Sequence, residues 1–235
     1  MSSRRDTAER LRRLMATEGD AVAQNTRTVN QLSDYAIQQF DDYEALRGAA
    51  RSIKESAIEN LPTLIDEVTE AVEANGGQVH VAQTAADANR IVERIMADRE
   101  ADKLVKSKSM TTEEIDVNGH LEQAGYEVVE TDLGEYVIQL ADEAPSHLIG
   151  PAMHRSPDDI ADLFNGEFDL GEELPGDPTE LTDFARERVG EHIREADVGM
   201  TGANFVVAES GTLMLVTNEG NARKTIASSD THVAV

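Results

Sequence analysis

The sequence predicts an α/β fold with a parallel-core sheet and flanking helices, and three observations predict it. Short β-branched runs alternate with helical stretches between residues 79 and 130. Between the first two runs, Ala88, Ile91, Val92, Ile95 and Met96 recur at helical spacing. Strand, helix, strand, helix, strand within about fifty residues is the pattern of right-handed crossover units.

The elements follow in order. Residues 4–74 read as helical. Leu11, Leu14 and Met15 form a short apolar stripe, and Val29, Leu32, Ala36, Ile37 and Phe40 continue one at three- and four-residue spacing. Leu46, Ala50, Ile53, Ala57, Ile58 and Leu61 share one face; Pro62 interrupts, and Leu64, Ile65, Val68, Ala71 and Val72 resume it. Asn75-Gly76-Gly77 is a helix stop. Residues 1–45 are read as a helical extension that packs on the domain or on a partner, and residues 46–235 as the α/β domain.

Val79–Ala82 is then expected as a strand and Asp87–Asp98 as a helix, with Ala88, Ile91, Val92, Ile95 and Met96 at helical spacing. A second strand begins at Leu104-Val105, a helix spans Thr111–Ala124, and Tyr126–Glu130 is the third strand. Gly134–Leu140 reads as one more, antiparallel or at an edge. Ser156-Pro157 starts a helix through Phe164, Leu170–Pro178 is an exposed acidic loop, and Thr179–Ala196 is a long helix. Beyond it the chain reads as β and turns, with strands at Asn204–Ala208, Thr212–Thr217 and His232–Val235.

Composition narrows the function classes. No apolar run is long enough to span a membrane. The N-terminus lacks the apolar core of a signal peptide, and a cytoplasmic location is expected. With no cysteine, these residues offer neither a thiol nucleophile nor thiolate ligands for zinc or iron–sulfur clusters. Forty-six acidic residues against twenty-one basic ones give a formal net charge of −25, a field that repels nucleic acid and anionic membranes. The acidic residues are spread along the chain, which suits a surface adapted to salt-rich cytoplasm, where screening removes self-repulsion. A halophilic source follows as an expectation. Dialysis from molar salt into dilute buffer should then abolish the helical circular-dichroism signal; a stability maximum at low salt would contradict it.

Four segments could carry chemistry. Lys106-Ser107-Lys108-Ser109-Met110-Thr111 lies where a strand gives way to a helix, and three of the five lysines fall between 103 and 108. Backbone amides, hydroxyls and ammonium groups there suit an anion; a capping box from Thr111 to Glu114 is the alternative. Glu130, Asp132 and Glu135 cluster after the next strand, where they could hold a metal or a hydroxylated substrate, or form a solvated turn. His147, with His154 and Arg155, could serve acid–base or metal chemistry, or simply be hydrogen-bonded. In the fourth segment, Thr201, Gly202 and Asn204 precede one expected strand, and Gly211 separates it from a second. Asn218, Glu219, Gly220, Asn221 and Arg223 follow that second strand. A tight turn explains Gly211, but not the polar groups at the far ends, which can line one cleft. Arg223 could clamp a carboxylate or phosphate.

These segments, with Thr201–Thr212, Val216–Arg223, Lys106–Thr111, Glu130–Glu135 and Pro145-Ser146-His147 in one order, closely resemble the LUD domain of LutB-type lactate-utilisation iron–sulfur proteins. The resemblance covers roughly residues 40–235. It implies a fold like that of the sugar-phosphate isomerase and CoA-transferase superfamily, with a cleft at the strand ends. It also implies a place in a multi-protein complex that oxidises L-lactate to pyruvate, with other subunits of that complex as partners. The ligand implied is a small carboxylate or a phosphorylated molecule held by residues such as Lys106, Lys108 and Arg223; a homo-oligomeric state stays open. By analogy with CoA transferases, Glu209 beside the glycine turn corresponds to a catalytic glutamate. A stand-alone transferase or isomerase using Glu209 as nucleophile or base is the alternative function. LutB-type proteins carry two [4Fe–4S] clusters in a further, ferredoxin-like region. The resemblance therefore implies no cofactor within these residues, and clusters only in such a region.

Overall fold

The computed structural model describes residues 4–143, 145, 146 and 150–235. Four helices come first: α1 (Arg4–Thr17), α2 (Gly19–Ile37), α3 (Tyr43–Glu59) and α4 (Leu61–Ala74). Helix α5 (Ala85–Asp98) leads into β1 (Lys103–Lys106), then α6 (Met110–Glu114), α7 (Val117–Gln123) and β2 (Glu127–Glu130). Next come α8 (Leu133–Leu140), α9 (Pro157–Glu167), α10 (Pro178–Glu195) and β3 (Val198–Thr201). The hairpin strands β4 (Phe205–Val207) and β5 (Thr212–Met214), helix α11 (Asn221–Ser228) and β6 (Thr231–Ala234) complete the chain.

The chain divides into two compact units. One comprises the residues up to Lys54 with Val137–Thr182; the other comprises Glu55–Tyr136 with Asp183–Val235. In the first, Ser156 and Asp159 form a reciprocal capping box with Pro157 in the first turn of α9, which satisfies amides the helix leaves open. Helix α9 buries Ala161 and Phe164, and Asn165 bonds the backbone of Leu174 through both its oxygen and its nitrogen. Asn25 of α2 donates to the Met153 carbonyl at 2.8 Å.

The second unit holds the sheet, in the order β2-β1-β3-β6 with every pair parallel. Its strands are short; β1, β2 and β3 are largely buried, all four residues of β3 included, whereas the edge strand β6 is half-buried to exposed. Leu104, Val128 and Val198 align across the register and pack with Met200 against Val92 and Met96 of α5 and Val117 and Leu121 of α7. Each such side chain stabilises by roughly 1.5–3 kcal/mol on burial. The other face lies against α11: a Cβ at Gly199 would sit 2.7 Å from the Thr225 carbonyl oxygen. Bare backbone at Gly199 is what lets α11 approach β3 so closely.

The expected parallel-core α/β class is what the structure shows, and the helix stop at Asn75–Gly77 is present, with Gly76 at φ 85. Several elements differ. Val79–Ala82 is not a strand; Val81 is 58% exposed and has no strand partner among the described residues, because β propensity without a neighbouring edge makes no ladder. Gly134–Leu140 is helical rather than extended, since the Asp132 carboxylate accepts the Gly134 and Glu135 amides and starts α8. The single helix expected over Thr111–Ala124 breaks at Asp116, which takes a left-handed φ of 53. The cap of α6 is Ser109, accepting from Thr112, rather than Thr111. Strand β3 and helix α11 occupy stretches that carry no apolar periodicity of their own.

Candidate functional site

The chain runs from β1 outward to β2, then returns to the opposite side of β1 as β3. Loops leaving β1 and β3 therefore diverge, and a crevice opens beyond their carboxyl ends. A cavity of about 400 Å³ lies there, within the second unit. From the β1 loop it takes Ser107, Lys108, Ser109 and Thr111; from β2, Asp132; from β3, Gly202 and Asn204; and from the segment before α11, Asn218, Glu219 and Asn221. Ten expected binding residues from separate stretches thus share one cavity.

Backbone geometry explains why they meet. The Ser107 amide bonds the Met200 carbonyl at 2.9 Å and the Thr131 amide bonds that of Lys106 at 2.8 Å, which carries the ladder past the strand ends. Asn204 closes the open end of the hairpin: its amide bonds Met214 O, and its Oδ1 accepts the Val216 amide at 2.7 Å. Asn221 reaches Thr131 Oγ1 at 3.4 Å and so ties the start of α11 to β2. Gly220 precedes that helix at φ 85, and no side chain caps the first amides of α11. Those amides, at the positive end of the helix, border the cavity through Asn221 and Ala222.

Lys108 supplies the cavity's cation. It pairs with Glu135 and, at 3.5 Å, with Glu113. Burial would lower its pKa, but the Glu135 hydrogen bond and the charges of Glu135, Glu113 and Asp132 outweigh this and raise it. Glu113 is itself held above the usual carboxylate range, first by burial and then by Glu135, against the pull of Lys108. Glu219 is raised by lost hydration and by the neighbouring Asp132 charge.

Other expected residues sit elsewhere. Lys106 is 1% exposed and does not line the cavity; it pairs with Glu130 beneath the site, where Asn118 also donates to Glu130 at 2.7 Å. Thr201 is buried, its hydroxyl 2.9 Å from His232 Nε2, and burial lowers the pKa of His232, keeping the ring neutral at pH 7. Gly211 turns the hairpin at φ 68, and a Cβ there would meet Val72 of α4. Glu209 is exposed beside that turn, outside the cavity. Arg223 is exposed on α11, and its guanidinium lies 3.5 Å from where a Gly220 Cβ would be. His147 falls outside the described residues. In the first unit, His154 and Arg155 hold the Glu143 carboxylate at 2.9 and 2.8 Å. Burial would raise that group, yet these bonds hold it below its ordinary range. Among the described residues no cluster of three metal-ligating side chains forms, and no helix is long and apolar enough to cross a membrane.

The sequence reading missed Glu113 and the wall formed by Met110, Ala203, Leu215, Val216, Thr217 and Ala222. Glu113 carried a signal, since it falls one turn after Lys108 at the start of a helix. The wall residues other than Leu215 fall inside the segments singled out above, but none of them was named as a binding residue.

A family model described as the LUD domain matches residues 65–235. "Lactate utilization protein B" of Shouchella clausii is 45% identical over 201 residues, which are 85% of this chain and 42% of that protein. Its namesake in Geobacillus kaustophilus is 44% identical over the same shares. The "Uncharacterized electron transport protein YkgF" of Escherichia coli K12 is 40% identical over 92% of this chain and 45% of its own length. The chain spans less than half the length of these relatives. No solved structure matches it.

Proposed function

The chain belongs to the LUD domain family, and from that premise we propose that it serves lactate utilisation by holding a small carboxylate in the strand-end cavity. The observation that carries this reading is the cavity itself. Lys108, four hydroxyl residues and the uncapped start of α11 converge on one space at the switch point of the sheet. Oxidation of lactate to pyruvate needs an electron acceptor, and the electron-transfer name of one relative fits a redox centre on another part of a longer protein or on a partner. Iron–sulfur clusters in such a region are part of the proposal. The hairpin exposes Phe205, Met214 and Val216, an apolar face suited to a partner subunit of a lactate-utilisation complex. A cytoplasmic, salt-rich setting fits the charge of −25.

Titration calorimetry with L-lactate and with pyruvate, at high salt, tests the reading. The wild-type chain should bind at least one of them, and Lys108→Gln should weaken binding about ten- to a hundredfold, the size of one charge-assisted hydrogen bond. Equal affinity in the two proteins would remove Lys108 from the site. The alternative of a transferase or isomerase acting through Glu209 has less support, because a nucleophile on the hairpin would act away from a ligand in this cavity.

A further inference from the structure

Ser107 begins the loop that leaves β1. Its amide donates to the Met200 carbonyl at 2.9 Å, so it lines the cavity from the floor, where the β1 and β3 chains are still joined. It is only 5% exposed. The next residue, Lys108, stands nearer solvent.

Polar side chains around Ser107 already have partners. Lys108 pairs with Glu135 and Glu113, and the Asp132 carboxylate accepts the Gly134 and Glu135 amides. Ser109, the other polar lining residue buried to nine-tenths, accepts the Thr112 amide. Asn204 Oδ1 accepts the Val216 amide, and Asn221 donates to Thr131. The Ser107 hydroxyl, by contrast, meets no hydrogen-bond partner among the described residues. Leaving a buried hydroxyl unpaired is costly, and folded proteins keep few such groups. One that faces a cavity gains its partner from what the cavity binds.

The chemistry of the lining separates the parts of such a ligand. Lys108 and the first amides of α11 carry positive charge or partial charge, which suits the carboxylate itself. Ser107 is neutral and both donates and accepts, which suits an uncharged oxygen on the neighbouring carbon. Ala203, Leu215 and Ala222 offer apolar surface for a methyl group.

We propose that Ser107 is the specificity-determining residue of the cavity: its hydroxyl bonds the oxygen on carbon 2, so the site selects short carboxylates that carry a 2-hydroxy or 2-oxo group. The proposal rests on the carboxylate-binding reading above and involves no covalent step. A hydroxyl that can turn from donor to acceptor holds a 2-hydroxy acid and the corresponding 2-oxo acid alike.

The test is calorimetric titration of the full chain with L-lactate, pyruvate and propionate at neutral pH and constant high salt. All three are three-carbon monoanions, and propionate alone lacks the oxygen on carbon 2. Wild type should bind L-lactate, pyruvate or both about fivefold to tenfold more tightly than propionate, the worth of one neutral hydrogen bond. Ser107→Ala should erase that preference and bring the three acids to about equal affinity. Because no described group partners the hydroxyl, the variant should also melt no lower than wild type, whereas loss of a structural hydrogen bond would lower the melting temperature. A wild-type chain with no preference over propionate, a preference that survives in Ser107→Ala, or a lower melting temperature of that variant overturns this inference and leaves the carboxylate reading standing. No binding of any of the three acids overturns both.

Discussion

Lys106→Met should destabilise the chain by about 3–5 kcal/mol, measured by denaturant unfolding at fixed high salt. Lys106 is among the most completely buried side chains of the chain. Its ammonium lies against Glu130, which Asn118 also contacts, at the edge of the apolar cluster around Leu104 and Met200. Losing the ammonium leaves the Glu130 carboxylate in a low-dielectric site without its countercharge, and desolvation of that charge then goes uncompensated. Lys106→Met combined with Glu130→Leu should recover most of the loss, because both charges are then gone. A single variant as stable as wild type would mean that Glu130 is solvated or protonated at no cost. Because Lys106 lies beneath the cavity and does not line it, the double variant should also keep measurable ligand binding.

Gly199→Val should cost about 3 kcal/mol or more and abolish ligand binding under conditions where the protein still folds. The Cβ alone would come within 2.7 Å of the Thr225 carbonyl and of Ser229 Oγ, and 2.9 Å of Thr225 Cγ2. A side-chain hydroxyl can rotate away, but a helical carbonyl cannot, so α11 would have to move off β3. Its first residues, Asn221 and Ala222, form part of the cavity wall, and that wall would move with it. Ligand affinity in the variant equal to wild type would show that the start of α11 contributes nothing to binding.

How far the site was legible depended on what each residue needed in order to be read. Ser107–Thr111 and Asn218–Asn221 stood out because hydroxyls, amides and a rare lysine cluster interrupt an acidic chain at the ends of apolar runs. Polar groups at strand ends have a local signature. Lys106 and Lys108 looked alike in sequence, yet one is neutralised inside the domain and the other faces the cavity. Strand alternation would put residues two apart on the same face, but β1 ends at Lys106, and Lys108 in the loop beyond it is released from that pattern. Glu130 and Asp132 separate for the same reason. Glu209 and Arg223 drew notice as charged residues beside glycines, but neither lines the cavity, and that follows from how the hairpin and α11 pack, which no local pattern records.

The sequence by itself determined the parallel α/β class, the helix stop at Asn75–Gly77, the helix opening at Ser156-Pro157 and the polar segments that meet at the strand ends. Each is set by neighbours within a few residues, through apolar periodicity, capping and turn geometry. Tertiary packing settles that Gly134–Leu140 coils rather than extends, that Val79–Ala82 finds no strand partner among the described residues, and that Val198–Thr201 is a central strand. It alone decides which lysine faces the cavity. Strand pairing and charge pairing are made between residues far apart in the chain, and their energies depend on burial that only the packed fold creates.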